Sequence, residues 1–195
     1  MKAVKKLKKK SFIILFLLIA CSLAITQIGR INAEPNKDVE KVAKSFVKFS
    51  HTISIISDEE FSLLKNKNLK TSILSELKTD KKSNLSKLVK KDNPLNKKYE
   101  TLIDRAMNDL FDGNTRTFNS EAKNIKTTKS DVNGNVAHID MTYTATASCG
   151  QLQGDKWVMA YPQNDVIAGY DLVKDSGGNW YIINENWTFA PGSEP

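Results

Sequence analysis

A change of hydrophobic period at Asp112-Gly113 constrains this chain more than any other feature. Before it, apolar residues recur at helical spacing. Val39, Val42, Ala43, Phe46, Val47, Ser50 and Ile53 share one face of a predicted helix, with Asn36 as its cap. Ser57-Asp58-Glu59-Glu60 reads as a capping box leading into Phe61, Leu63 and Leu64. Two apolar clusters follow, Ile73, Leu74 and Leu77, then Leu85, Leu88 and Val89. Their lysine, serine and asparagine flanks predict two short, weak elements. The strongest helix signal is Asn93-Pro94, a cap followed by proline at the first helical position. Leu95, Tyr99, Leu102, Ile103, Ala106, Leu110 and Phe111 line one side of that helix, and Gly113 ends it.

After Gly113 the period becomes two. Ala137, Ile139, Met141, Tyr143, Ala145 and Ala147 alternate with His138, Asp140 and a series of threonines, the pattern of a half-buried strand. Asn133-Gly134 turns the chain so that this strand pairs with residues near 117–129. A further ribbon runs through residues 156–161 and 166–173 and is interrupted at Pro162. Ser176-Gly177-Gly178-Asn179 is another turn. The last strand, from Trp180 to Phe189, places Tyr181, Ile183, Glu185, Trp187 and Phe189 on one face.

Helices first and an antiparallel meander second predict an α+β fold, with the helices packed on one face of a curved, cone-like sheet. The expected organisation is residues 1–33 as a targeting or anchoring segment and residues 34–195 as a single domain. Its helical half covers about 36–111 and its strand half about 115–189. Curling around the 93–111 helix would leave a pocket at the open end of the sheet.

The N-terminus sets the expected compartment. MKAVKKLKKK is followed by an apolar run from Phe12 to Ile25 and then by Ile31-Asn32-Ala33, the layout of an export signal. Three readings stand. The segment is cleaved after Ala33; residues 12–29 stay in the membrane as an anchor with the lysines inside; or Leu18-Ile19-Ala20-Cys21 is a lipobox and Cys21 is lipidated. Each places the domain outside the cytoplasm or on the outer face of its membrane. Cys149 is then the only cysteine of the exported part, which predicts no intrachain disulfide.

The net charge of +7 belongs to this segment. Without residues 1–33 the chain holds 22 basic and 22 acidic residues, so bulk charge gives no footprint for nucleic acid, and none is expected as a partner. The charge is uneven nonetheless. Eleven lysines between residues 65 and 98 face only Glu76, Asp80 and Asp92. They form either a solvated helical face or a patch for anionic lipid, wall polymer or an acidic partner.

Asn133-Gly134-Asn135-Val136-Ala137-His138-Ile139 and Gly177-Gly178-Asn179-Trp180-Tyr181-Ile182-Ile183 are turn-and-strand signatures. In them the chain resembles the nuclear-transport-factor-2-like (cystatin-like) superfamily of cone-shaped domains, over roughly residues 36–190. Residues 57–91 depart from the family in being longer and richer in lysine. The resemblance implies one of three roles: a small exported binding module, an anchored scaffold subunit of a conjugation or type IV secretion apparatus, or an enzyme with an acid or an Asp–His pair inside the cone. Fold alone does not choose among them.

Read residue by residue, Glu185 is the candidate catalytic acid, because a carboxyl among aromatic residues on a core face is desolvated. Tyr143, Tyr161, Glu185 and Trp187 are the candidate ligand-binding residues. His138 and Asp140 lie about 7 Å apart on one strand face, but opposite the apolar row, and so face solvent. His51 and His138 are the only histidines and have no partners at ligand spacing, so no metal is expected. No phosphate loop or nucleophile elbow is present, and no cofactor is expected. The residues favour a non-enzymatic module that binds a partner protein or an envelope component.

Overall fold

The computed structural model describes residues 36–193. The readings that fall on Cys21, Ala33 and the apolar run at 12–29 lie outside these residues. Four helices precede five strands: α1 (Lys37–Thr52), α2 (Asp58–Leu63), α3 (Lys70–Ser86) and α4 (Pro94–Asp112), then β1 (Thr115–Asn133), β2 (Val136–Gln153), β3 (Lys156–Ala160), β4 (Gln163–Lys174) and β5 (Trp180–Phe189).

Local chemistry accounts for the helix ends. The Asn36 side chain accepts hydrogen bonds from the backbone N–H groups of Asp38 and Val39 at 3.1 and 3.2 Å. At the other end of α1, Lys81 of α3 donates to the carbonyl of Thr52, which also accepts Ile55 N–H at 3.2 Å, and to that of Ile55 just beyond the helix. The capping box of α2 closes both ways between Ser57 and Glu60. In α4 the Asn93 side chain accepts from Leu95 N–H at 2.8 Å, and Gly113 ends the helix at φ 70°. That left-handed conformation costs glycine little.

The stretch read as two short elements is one helix of 17 residues, α3. Lysine and serine do not break it because its lysines have partners on other elements. Lys82 bonds Asp104 at 2.9 Å and Lys78 bonds Asn108 at 3.0 Å, both on α4, while Leu74, Leu77 and Leu85 are buried. Of the second cluster, Leu85 is on this helix, while Leu88 and Val89 lie past its end, where Val89 forms a parallel bridge with Ile182 of β5.

The strands form one antiparallel sheet in the order β1-β2-β4-β5. Along its second edge β2 pairs with β4 from Val136 to Thr146 and with β3 from Cys149 to Gln153, and the break at Pro162 separates those two partners. Across the sheet, register gathers the inward residues into rows. Ala137, Leu172 and Ile182 make one row, then Ile139, Tyr170 and Glu185, then Met141, Ala168 and Trp187, then Tyr143, Val166 and Phe189. Helices α1 and α4 cover this face, and Phe46 lies 5.0 Å from Tyr99 and 5.7 Å from Tyr170, centroid to centroid. On α4, Met107 is fully buried, whereas Leu102, read as core, is 40% exposed. The α+β architecture with helices on a curved antiparallel sheet is as the period change predicts.

Strict alternation along the last strand does not hold. A bulge where Asp171 and Leu172 pair with β5 makes Leu172 oppose Ile182 and Asp171 oppose Asn184. Trp180 and Ile182 therefore face the core before the bulge, and Glu185, Trp187 and Phe189 do so after it. Tyr181 and Ile183 do not belong to that face.

Candidate functional site

The bulge carries Glu185 inward. Its side chain is 5% exposed, and both carboxylate oxygens accept hydrogen bonds: Oε1 from Lys98 Nζ and Oε2 from Tyr99 Oη, each at 2.8 Å. Lys98 and Tyr99 are consecutive residues of α4, so one turn of that helix holds the carboxylate from two sides. Burial first, and then the neighbouring Glu185 carboxylate, push the Tyr99 phenol far above its ordinary pKa. Burial likewise raises Tyr170, which pairs with Tyr143, and Tyr143 itself. Of the three phenols, Tyr99 donates to Glu185.

The seam continues to α1. The His51 ring meets Tyr143 edge-on at 5.8 Å and its Nδ1 lies 3.0 Å from Ser120 Oγ, while burial lowers its pKa. The structure thus joins Glu185 and Tyr143, two of the four sequence candidates, through Tyr99 and Tyr170. It adds Lys98 and His51, which no motif singled out. In chemical terms the seam is a run of satisfied donors and acceptors.

The other two candidates lie apart. Trp187 follows Glu185 on the inward row yet is 51% exposed, with its ring edge-on to Phe189 at 5.5 Å. Tyr161, between β3 and β4, is 73% exposed.

On the opposite sheet face His138 sits between two carboxylates, with Nδ1 2.6 Å from Asp171 and Nε2 3.0 Å from Asp140. Gly169 makes room for the ring, since a Cβ there would lie 3.0 Å from Asp140 Oδ1 and 3.4 Å from His138 Cε1. Burial works against the imidazolium, but the bonds to Asp171 and Asp140 outweigh it and raise the His138 pKa. The pair read as facing solvent is on that face, tied into a local ion cluster. No group of three or more metal-ligating side chains occurs among the described residues.

Two cavities open near the C-terminal end of α4. One, of about 440 Å³, lies between Ala106 and Leu110 of α4 and the strand ends at Arg116, Cys149 and Met159. The other, of about 450 Å³, lies between α2, the turn after it and the β2–β3 hairpin. An aromatic box adjoins them: Phe61 and Phe118 flank the Arg116 guanidinium at 4.4 and 4.8 Å, and Trp157 is 5.3 Å from Phe118. Arg116 is buried, donates to Asp58 at 2.7 Å and leaves Nε without a partner. None of the four sequence candidates lines either cavity.

No family model matches the chain, and no curated protein matches it. Among solved structures the chain is similar to the intermembrane space region of the chloroplast protein ARC6, at 13% identity over 82% of this chain and 100% of that one, TM-score 0.46. It is similar to CagV, a VirB8 homologue of the T4SS of Helicobacter pylori strain 26695, at 10% identity over 77% and 98%, TM-score 0.36. It is also similar to an NTF2-like protein with a cystatin-like fold from Novosphingobium aromaticivorans, at 13% identity over 48% and 53%, TM-score 0.28. The likeness concerns the arrangement of helices on a curved antiparallel sheet and, at these identities and scores, carries nothing about activity.

Proposed function

We propose that this protein is an exported, non-enzymatic interaction module that docks a partner protein or envelope component along the outer edge of β5. One observation carries the reading. β5 is an edge strand, and beyond the bridge at Ile182 no strand pairs with its outer edge among the described residues. That open edge carries the half-exposed Trp187 and its neighbour Phe189. Unpaired N–H and C=O groups beside an accessible aromatic pair are what an incoming strand uses: backbone bonds supply affinity and side-chain contacts supply selectivity. The opposite edge strand, β1, differs. It alternates Glu121, Lys123, Lys126 and Lys129 and carries bulges, devices that discourage pairing. The bonds of Glu185 to Lys98 and Tyr99 support a structural role for that acid. The basic and then apolar order of residues 1–33 supports export.

A photo-crosslinking aromatic amino acid at position 187, introduced in the cells that produce the protein, tests the reading. The expected result is one adduct of defined mass at 187 and none from the same probe at Lys126 on β1. No adduct at 187, or the same adducts from both positions, would overturn it.

A further inference from the structure

The geometry points to a second site, independent of the β5 edge: the cavity between α2 and the β2–β3 hairpin binds a soluble single-chain anionic amphiphile. Its volume of about 450 Å³ falls in the range of small-molecule sites, roughly 300–1,000 Å³. Phe61, Leu64, Leu152 and Trp157 give it an apolar and aromatic wall. Among the described residues its charged lining is Lys65, Lys67 and Lys70 with one acid, Asp155.

The lysine-rich stretch divides here by role. Lys78, Lys81 and Lys82 are tied to α4 or to the end of α1. Lys65 and Lys67 are exposed on the turn between α2 and α3, and neither has an ion-pair partner among the described residues. An apolar chamber with two ammonium groups at its rim complements one ligand chemistry, an anionic head on an apolar chain. Behind Phe61 the Arg116 guanidinium lies 4.4 Å from that ring with its charge paired to Asp58, so Lys65 and Lys67 are the charges that select the head group. A recessed chamber accommodates one chain, which favours a free amphiphile over the flat surface of a membrane.

Calorimetric titration of the full chain with dodecanoate, below its micelle concentration, tests the site. A dodecanoate brominated on its chain serves as a quencher of Trp157 fluorescence in parallel. The expected result is saturable one-site binding and quenching that is lost in W157F. The charge-reversed variant K65E/K67E alters only exposed side chains and should bind about tenfold more weakly. The inference is overturned if K65E/K67E binds as tightly as the parent chain, or if uncharged dodecyl maltoside binds equally well. It is also overturned if the protein responds only to phosphatidylglycerol vesicles and not to dodecanoate.

Discussion

Tyr99 Oη donates to Glu185 Oε2 at 2.8 Å, across 86 residues of chain. The bond ties the first turns of α4 to the edge strand β5 and satisfies a carboxylate that is almost wholly buried. Tyr99→Phe leaves that oxygen without its donor. The expected cost is about 1–3 kcal/mol in urea denaturation. Lys98→Ala removes the exposed partner of the same carboxylate and should cost about 1 kcal/mol or less. Equal losses in the two variants would mean that the phenol does not anchor the acid.

The His138 cluster gives stability a pH signature. Its pKa is raised on folding, so its contribution is fully present below the unfolded-state value of about 6.5. That contribution is lost as pH rises through the folded value. Asp171 shows the opposite sign. Burial works against its charge, but the bonds from His138 and Asn184 outweigh it and lower its pKa, so its contribution is lost on acidification. Thermal melts of the parent chain and of His138→Asn should differ most near pH 5 and converge above neutrality. A difference that grows with rising pH would contradict this assignment.

Gly150 allows close packing beneath the aromatic box. A Cβ there would lie 2.9 Å from both Phe118 Cε2 and Trp157 Cε3 and 3.0 Å from Met159 Sδ. Gly150→Ala should destabilise by about 1–3 kcal/mol and shift the near-ultraviolet circular dichroism of the aromatic groups. Gly134→Ala keeps a positive-φ turn but meets nothing within 4 Å, so it should leave that spectrum unchanged.

Lys81 closes the end of α1 from another helix. Lys81→Met keeps most of the buried stem and removes the two hydrogen bonds to the Thr52 and Ile55 carbonyls. A loss of about 1–3 kcal/mol is expected, with faster amide exchange confined to the last turn of α1. Uniform acceleration throughout the chain would assign Lys81 a global role instead.

How far this was legible in the sequence follows from the range of the interactions. The caps at Asn36, Ser57 and Asn93, the turn at Gly134 and the break at Pro162 are local, and the residues that make them are adjacent in the text. The fate of α3 was not legible, because what stabilises its lysines lies on α1 and α4. The inward face of β5 was misread at Tyr181 and Ile183, ahead of Glu185, because one bulge inserts a residue, and period-two reading has no sign for it. Glu185 and Tyr143 were picked out by alternation. Lys98, Tyr99 and His51 join them only through the packing of helices on the sheet. Trp187 was legible as an inward residue, but its exposure depends on where the covering helices stop.

Hydrogen exchange of the protein with its crosslink-identified partner tests the central claim most directly. A strand docked on β5 predicts slowed exchange at alternate amides between Asn184 and Phe189, absent in a Trp187→Ala variant. Unchanged exchange across 184–189, with slowing elsewhere in the same complex, would contradict it.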